Sequence, residues 1–204
     1  MEHVLELIQK GGLAMYPLAL LSIISWAVIV ERLVSLKTLK YKSKHIKDLK
    51  TLLASKDIEG ASKLLSTDSS YTAELLRPLV EEYKEGKTDK YDMVRRVDFE
   101  LSLLAPRLEK NLALLSTVAS TAPLIGLFGT ITGLIKVFSS FATANPEEAM
   151  ALLSKGISEA LVAAATGLAV AVPALLAYWL FRIWSNGILS KIEEDVFELI
   201  RVLR

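Results

Sequence analysis

The sequence predicts an all-α integral membrane protein with three transmembrane helices. Of its 204 residues, 52% are hydrophobic, which is high for a soluble domain of this length. The apolar residues are concentrated in three runs without Asp, Glu, His, Lys or Arg, at residues 11–30, 111–135 and 160–181. Each run is long enough to cross a hydrocarbon core about 30 Å thick as a helix.

These runs divide the chain into segments of different character. In chain order we expect an N-terminal interfacial segment (1–10), a first transmembrane helix (11–31), a cytoplasmic helical domain (32–110), a second transmembrane helix (111–141), a short periplasmic connection (142–156), a third transmembrane helix (157–182) and a cytoplasmic C-terminal helix (183–204). The first segment is predicted to lie at the interface because Val4, Leu7 and Ile8 fall on one helical face.

The distribution of Lys and Arg predicts the orientation. Residues 32–110 hold 17 of the 24 basic residues, and the run KTLKYKSKHIKDLK follows closely on the first apolar run. Basic loops next to a transmembrane helix stay in the cytoplasm. We therefore expect this segment and the C-terminus in the cytoplasm, and the N-terminus and residues 137–156 outside it.

Apolar residues at helical spacing predict two helices in the segment before the second span. One pattern includes Leu75, Leu79 and Val80, and Gly86 is expected to end its helix. A second pattern starts at Lys90 and continues into the second span. We expect one helix as far as about Phe141, roughly 75 Å long.

The third span is expected to continue in the same way as the C-terminal helix, and the two extensions are expected to pack on each other. The prolines predicted to bend or kink these long helices are Pro106, Pro123 and Pro173.

Small residues form stripes on the second and third spans. The helix-packing stripes comprise Ala122, Gly126, Gly129 and Gly133 on the second span and Ala160, Ala164, Gly167, Ala171 and Ala174 on the third. Such stripes let helices approach closely, and we expect them to pack helices both within a subunit and between subunits. Thr130 lies on a neighbouring stripe, where its hydroxyl could serve an ion pathway or bond only its own helix.

Ionisable side chains are absent from the interior of the three apolar runs. Glu159 precedes the third run and Lys136 follows the second. Because a protein that moves ions by charge relay needs an ionisable group at membrane depth, this chain either moves no ions or works with a partner that supplies the group.

Two segments resemble a known family. APLIGLFGTITGLIKVF (residues 122–138) and GISEALVAAATGLAVAVPALLAYWLF (residues 156–181) are similar to the MotA/TolQ/ExbB proton-channel family, and most similar to its three-span ExbB and TolQ branch. The first span, PLALLSIISWAVIVERL, and the order of the elements fit the same branch.

The resemblance implies an assembly and a set of partners. Members of this branch form a homo-oligomeric ring, taken to be a pentamer, around the single transmembrane helices of an ExbD- or TolR-like partner that carries a protonatable Asp. The proton-motive force then drives the partner and, through a TonB- or TolA-like protein, energises transport or envelope maintenance at the outer membrane. The implied location is the bacterial inner membrane, in contact with lipid.

The resemblance also assigns an ion pathway to particular residues. Thr130 matches the family's pore threonine on the second span, and Glu159 matches its acidic residue before the core of the third. The second pore threonine is replaced here by Ala164. Thr166 lies two residues further on, about 200° around the helix, and cannot simply take its place, which leaves H⁺ and Na⁺ both open as the transported ion.

Other classes of function are disfavoured by the sequence. The net charge of +1 gives no indication of nucleic-acid binding. With no Cys, two separated His residues and no nucleophile–base or phosphate-loop motif, we expect no enzymatic activity, metal or cofactor. The alternative from another class is a non-conducting membrane scaffold that recruits cytoplasmic or periplasmic partners.

Overall fold

The computed structural model describes residues 11–41, 43–141 and 146–202. Over these ranges the chain forms helices and contains no strand. The helices are α1 (Met15–Thr38), α2 (Ile46–Ala54), α3 (Ile58–Thr67), α4 (Tyr71–Lys84), α5 (Lys90–Leu108), α6 (Leu112–Phe141) and α7 (Pro146–Val202). The predicted interfacial segment 1–10 lies outside the described residues.

Three helices have the length and composition of membrane spans. The spans lie in α1, in α6 and in α7, at Met15–Thr38, Leu112–Ser139 and Ala149–Val202. The predicted fold class, an all-α membrane protein with three apolar spans, is confirmed. The ring of subunits stays a prediction.

The described residues divide into two compact units. The membrane unit comprises residues 11–33 and 111–181, and the second unit comprises residues 34–110 and 182–202. Both α1 and α7 continue from the membrane unit into the second unit. The prediction that the third span continues as a C-terminal helix is thus confirmed, since α7 runs unbroken to Val202.

The predicted continuous helix from Lys90 to about Phe141 is wrong. α5 ends at Leu108 and α6 begins at Leu112. Between them Asn111 has a φ of +63°, in the left-handed region that Asn tolerates better than most residues. The N–H of Glu109 closes α5 on the Ala105 carbonyl at 3.0 Å. The apolar spacing continues across this break, so the pattern gave no sign of it.

The start of α7 differs from the expected start of the third helix. α7 begins at Pro146, whereas the periplasmic connection was expected to reach residue 156. Residues 146–156 are therefore helical, and residues 142–145 of the connection lie outside the described residues. A Pro at the first position of a helix costs no hydrogen bond, because the N–H groups there have no partner within the helix.

Short helices joined by hydrogen-bonded caps build the second unit. The side chains of Asp57, Ser70 and Asp89 accept hydrogen bonds from backbone N–H groups in the first turns of α3, α4 and α5, over 2.8–3.2 Å. Gly86 ends α4 as predicted, with a φ of +68° and its N–H on the Tyr83 carbonyl at 3.1 Å. These caps fix where each helix starts and stops.

The predicted packing of the two extensions is present in the second unit. The Ser185 hydroxyl of α7 donates to the Leu108 carbonyl of α5 at 3.0 Å, and Ser185 is buried. Arg182 and Glu109 approach to 4.0 Å at the same end. One apolar stripe of the C-terminal part of α7 is almost fully buried, namely Ile188, Ile192, Val196 and Ile200.

Candidate functional site: the packed faces of α6 and α7

Glycines bring the backbones of α6 and α7 into direct contact. A methyl group added at Gly167 would lie 2.7 Å from the Ala122 carbonyl oxygen and 3.0 Å from the Gly126 Cα. One added at Gly126 would lie 3.0 Å from the Ala163 carbonyl oxygen. Both residues must therefore be small, because the atoms opposite them are backbone atoms that cannot rotate away.

The same seam continues along both helices. A methyl group at Gly129 would lie 2.6 Å from the Ala163 Cβ, and one at Gly133 would lie 3.3 Å from the Ala160 Cβ. Most of the remaining small residues predicted for helix packing are buried, with exposed fractions of 0% for Ala122 and Ala174, 4% for Ala160 and 5% for Ala171, whereas Ala164 is half-buried. Ala122 and Ala171 share a cluster with Met15 and Leu18 of α1.

These contacts confirm one part of the expectation from the sequence. The small stripes were expected to pack helices both within a subunit and between subunits. Within the protomer, their partners are the other helices of the same chain, and packing between subunits stays a prediction. The exposed faces of α6 and α7 carry large apolar side chains, among them Leu124, Phe128, Phe138, Leu161, Leu168 and Leu180.

Thr130 and Ala164 lie on one side of the α6–α7 pair. Gly129 and Ala163 face each other across the seam, and the residue after each is turned about 100° further around its helix. The two helices run antiparallel, since Gly126 lies near Gly167 and Gly133 lies near Ala160. The residues that follow Gly129 and Ala163 are therefore turned towards the same side of the pair. Thr130 and Ala164 are both half-buried there.

The hydroxyl of Thr130 is hydrogen-bonded within its own helix. It donates to the Leu127 carbonyl at 2.6 Å. A threonine hydroxyl has one proton to donate and two lone pairs that accept. Thr130 therefore keeps its capacity to accept a hydrogen bond, while its donor is occupied.

Glu159 and Thr166 lie on the opposite side of the pair, where α1 packs. Gly12, which precedes α1, is so close to Glu159 that an added methyl group would overlap the carboxylate oxygen Oε1. A methyl group at Gly11 would lie 3.2 Å from Val162 Cγ1. The Thr166 hydroxyl donates to the Val162 carbonyl at 2.8 Å, so Thr166 belongs to this side of α7.

The predicted ion-pathway residues therefore fall into two groups. Thr130 and Ala164 share one side of the pair, and Glu159 and Thr166 share the side of α1. Pro123 and Pro173 lie inside continuous helices, and a kink at either stays a prediction. Among the described residues, no group of His, Cys, Asp or Glu is placed to hold a metal ion.

One partner of the site was missed from the sequence. Lys136 Nζ lies 3.3 Å from Glu159 Oε1, so the ammonium on α6 pairs with the carboxylate on α7. The two residues are 23 positions apart and belong to different helices, so no local pattern in the sequence joins them. The position of each at the end of an apolar run was the available signal.

Comparison with known proteins gives the class of this chain. The model of the MotA/TolQ/ExbB proton channel family matches residues 67–194. That range contains α6 and most of α7, including the glycine seam and both groups of candidate residues. The chain belongs to the MotA/TolQ/ExbB proton channel family.

Individual relatives come from two branches of that family. The chain is 30% identical over 175 residues to the biopolymer transport protein ExbB of Pseudomonas putida, a match covering 83% of this chain and 52% of that protein. It is 37% identical over 99 residues to the Tol-Pal system protein TolQ of Pseudomonas aeruginosa, covering 48% and 42%. It is 26% identical over 197 residues to the biopolymer transport protein exbB1 of Vibrio cholerae, covering 96% and 86%.

The extent of these matches differs between relatives. The chain spans about half the length of the Pseudomonas putida protein and less than half of the TolQ protein. Similarity to proteins of both names places the chain within their shared family, as a multi-pass membrane protein, without choosing between the two branches.

Proposed function

We propose that this chain is the ion-channel subunit of an inner-membrane motor of the ExbB/TolQ type. It forms a homo-oligomeric ring, taken as a pentamer, around the transmembrane helix of an ExbD- or TolR-like partner, and it passes protons to drive that partner. The observation that carries the proposal is the side of the α6–α7 pair that holds Thr130 and Ala164. This side combines the half-buried Thr130 hydroxyl with Ala164, in a chain whose apolar runs 11–30, 111–135 and 160–181 contain no charged residue.

The partner is needed because the apolar runs 111–135 and 160–181 of α6 and α7 contain no Asp or Glu. A protonated carboxyl group on a partner helix can donate a hydrogen bond to Thr130 Oγ1, whose donor is occupied by the Leu127 carbonyl. After the proton leaves, the carboxylate can no longer donate, and its charge is poorly solvated between apolar walls. The two protonation states therefore prefer different positions, and that difference couples proton passage to movement of the partner.

The energy of this contact can be compared with the energy that drives the motor. One charge crossing 100 mV releases about 2.3 kcal/mol. A hydrogen bond between two neutral groups, such as a protonated carboxyl group and a hydroxyl, contributes about 0.5–1.5 kcal/mol. One contact at Thr130 can therefore bias the partner by a sizeable fraction of the drive per proton.

The proposal places the chain in the bacterial inner membrane, with the N-terminus in the periplasm and the C-terminus in the cytoplasm. Its client is a TonB- or TolA-like protein that reaches the outer membrane. Replacement of the family's second threonine by Ala164 leaves Thr130 as the hydroxyl on this side of the pair that the proposal uses.

Purification of the intact complex tests the proposal. Affinity-tagged chain is expressed in its native host, extracted in mild detergent and analysed by native mass spectrometry. We expect a ring of identical subunits that retains a single-span protein with an Asp in its transmembrane segment. A monomer, or a ring that retains no such protein, would favour the non-conducting scaffold.

A further inference from the structure

A lysine and a glutamate meet beside α1, away from Thr130. Lys136 Nζ on α6 lies 3.3 Å from Glu159 Oε1 on α7. The Glu159 side chain is 22% exposed and the Lys136 side chain 59% exposed. Glu159 is thus largely enclosed, and Lys136 reaches it from the open side.

The enclosed side of Glu159 is formed by the turn that precedes α1. Gly12 has a φ of +69° and lies so close that any side chain at this position would collide with the carboxylate. The carboxylate therefore fills the space that a side chain at Gly12 would need. The Glu159 carboxylate of α7 thus lies beside Lys136 of α6 and beside the turn that precedes α1.

We propose that Lys136 is a positioning residue that holds the Glu159 carboxylate against the Gly12 turn, on the α1 side of the α6–α7 pair. The role of Glu159 in energy coupling rests on the proposed function, whereas the positioning itself does not. An ion pair near the border of a membrane is screened less than one in water, because the surrounding dielectric constant is lower. Loss of the Lys136 charge therefore frees the carboxylate from its position.

The chain supplies a matched control for Lys136. Lys155 precedes Glu159 by four residues on the same helix and is exposed. It has the same charge and lies one helical turn from the carboxylate, but Lys136 is the residue whose ammonium reaches Glu159 across the seam. Removing the charge at position 155 changes the local charge by the same amount and leaves the interhelical pair in place.

A double-mutant cycle on the full chain tests the positioning. Thermal midpoints are measured in detergent by the fluorescence of the chain's Trp residues. We expect Lys136→Met and Glu159→Gln each to lower the midpoint, and the double variant to lower it no further than either alone. Lys136→Arg should retain the wild-type midpoint, and so should Lys155→Met. Additive losses, or an equal loss in Lys155→Met, would overturn the proposal.

The charge-exchange variant Lys136→Glu/Glu159→Lys distinguishes two roles of the ion pair. Lys136 either holds the carboxylate at its place on α7, or the pair only joins α6 to α7. The variant should recover only part of the midpoint that the single variants lose, because the ion pair is restored but the longer lysine side chain must take the enclosed place of the carboxylate beside Gly12. It should remain inactive in complementation of the energy-coupled function, because the carboxylate has moved from α7 to α6. Full activity of this variant would contradict a positioning role. If the wild-type chain supports no coupled function, the proposed function fails, while the midpoints still decide whether Lys136 holds Glu159.

Discussion

At the scale of single residues, the Thr130 hydroxyl carries the chemistry of the proposed pathway. Its proton is donated to the Leu127 carbonyl at 2.6 Å, so the oxygen meets a partner as an acceptor. Thr166 has an equivalent bond to its own helix but lies on the α1 side. The two threonines are thus alike in local bonding and differ in the side of the pair that they occupy.

This difference predicts the outcome of removing either hydroxyl. Thr130→Val keeps the side-chain shape and should sharply reduce energy coupling while leaving partner binding intact. Thr166→Val should have a smaller effect, because its hydroxyl faces away from the proposed lumen. Complementation of the coupled function measures the effect, and co-purification of the partner serves as the control. Full activity in Thr130→Val would mean that the hydroxyl serves helix packing alone.

The Lys136–Glu159 pair shows which kind of contact the sequence could not predict. Thr130, Glu159 and the glycine stripes were predicted by local spacing and by the family resemblance. The pair instead depends on how α6 and α7 are aligned along each other, which is fixed by backbone contacts such as that of Gly167 with the Ala122 carbonyl. A pattern within one helix contains no information about that alignment.

At the scale of helices, the seam between α6 and α7 depends on whether a glycine faces backbone or open space. Gly167→Ala would place a methyl group 2.7 Å from the Ala122 carbonyl oxygen, whereas Gly187 on the same helix has no atom within 4 Å of its added methyl group. We expect Gly167→Ala to destabilise the protomer by about 1–3 kcal/mol. Gly187→Ala should stabilise it by about 0.5–1 kcal/mol, because Ala loses less backbone entropy in a helix.

Thermal midpoints of both variants in detergent provide the measurement. Because Gly167 contacts Ala122 and Gly126 of the same protomer, Gly167→Ala should lower the thermal midpoint while native mass spectra still show the ring. A ring that dissociates with an unchanged midpoint would show that Gly167 acts between subunits.

The helix boundaries were less predictable than the helices. The break between α5 and α6 falls where the apolar spacing continues, and the left-handed φ of Asn111 ends one helix without interrupting that spacing. The short helix α2 was not predicted individually, because lysines surround its buried residues Leu49 and Leu53. In both places a single residue or a tertiary contact decides the boundary, and periodicity averages over several turns.

A hydrogen-bonded carboxylate anchors the segment before α2 to the segment before α4. Ser43 is buried and donates to Asp68, and Asp68 also accepts from the N–H of Ser70 at 2.9 Å. Partial burial alone would raise the pKa of Asp68, but the hydrogen bonds from Ser43 and Ser70 outweigh it, so this pKa lies below its ordinary value. The ionised form is therefore favoured in the folded state.

The direction of this pKa shift determines how the contribution of Asp68 to stability depends on pH. The folded state binds the proton of Asp68 less readily than the unfolded state does. The contribution of Asp68 to the free energy of unfolding is therefore fully present above the ordinary Asp pKa of about 3.9. It is lost as the pH falls through the lower pKa of the folded state. Ser43→Ala should lower the free energy of unfolding by about 1 kcal/mol at neutral pH. The further decrease of this free energy on acidification should be smaller in the variant than in the wild type.

Chemical unfolding of the full chain at pH 7 and at about pH 3 measures this effect. Ser66→Ala is the matched control, since its exposed hydroxyl bonds only the Lys63 carbonyl of its own helix. If Ser43→Ala and Ser66→Ala have the same pH dependence, the Ser43–Asp68 bond does not cause it.

At the scale of the whole molecule, the distribution of basic residues predicts the topology. The chain has no Cys, so single cysteines report accessibility without background. In intact cells an impermeant thiol reagent should label Asn145→Cys and should leave His45→Cys and Arg204→Cys unlabelled until the membrane is opened. Labelling of His45→Cys in intact cells would reverse the proposed orientation.

Proton flux through the assembled complex tests the central claim most directly. The chain and its co-purified single-span partner are reconstituted into liposomes that contain a pH-sensitive dye, and a pH gradient and membrane potential are imposed. We predict proton entry that is lost when the partner's transmembrane Asp is replaced by Asn and strongly reduced by Thr130→Val. Liposomes with the intact complex that hold the gradient as well as empty ones would contradict the account and identify the chain as a scaffold.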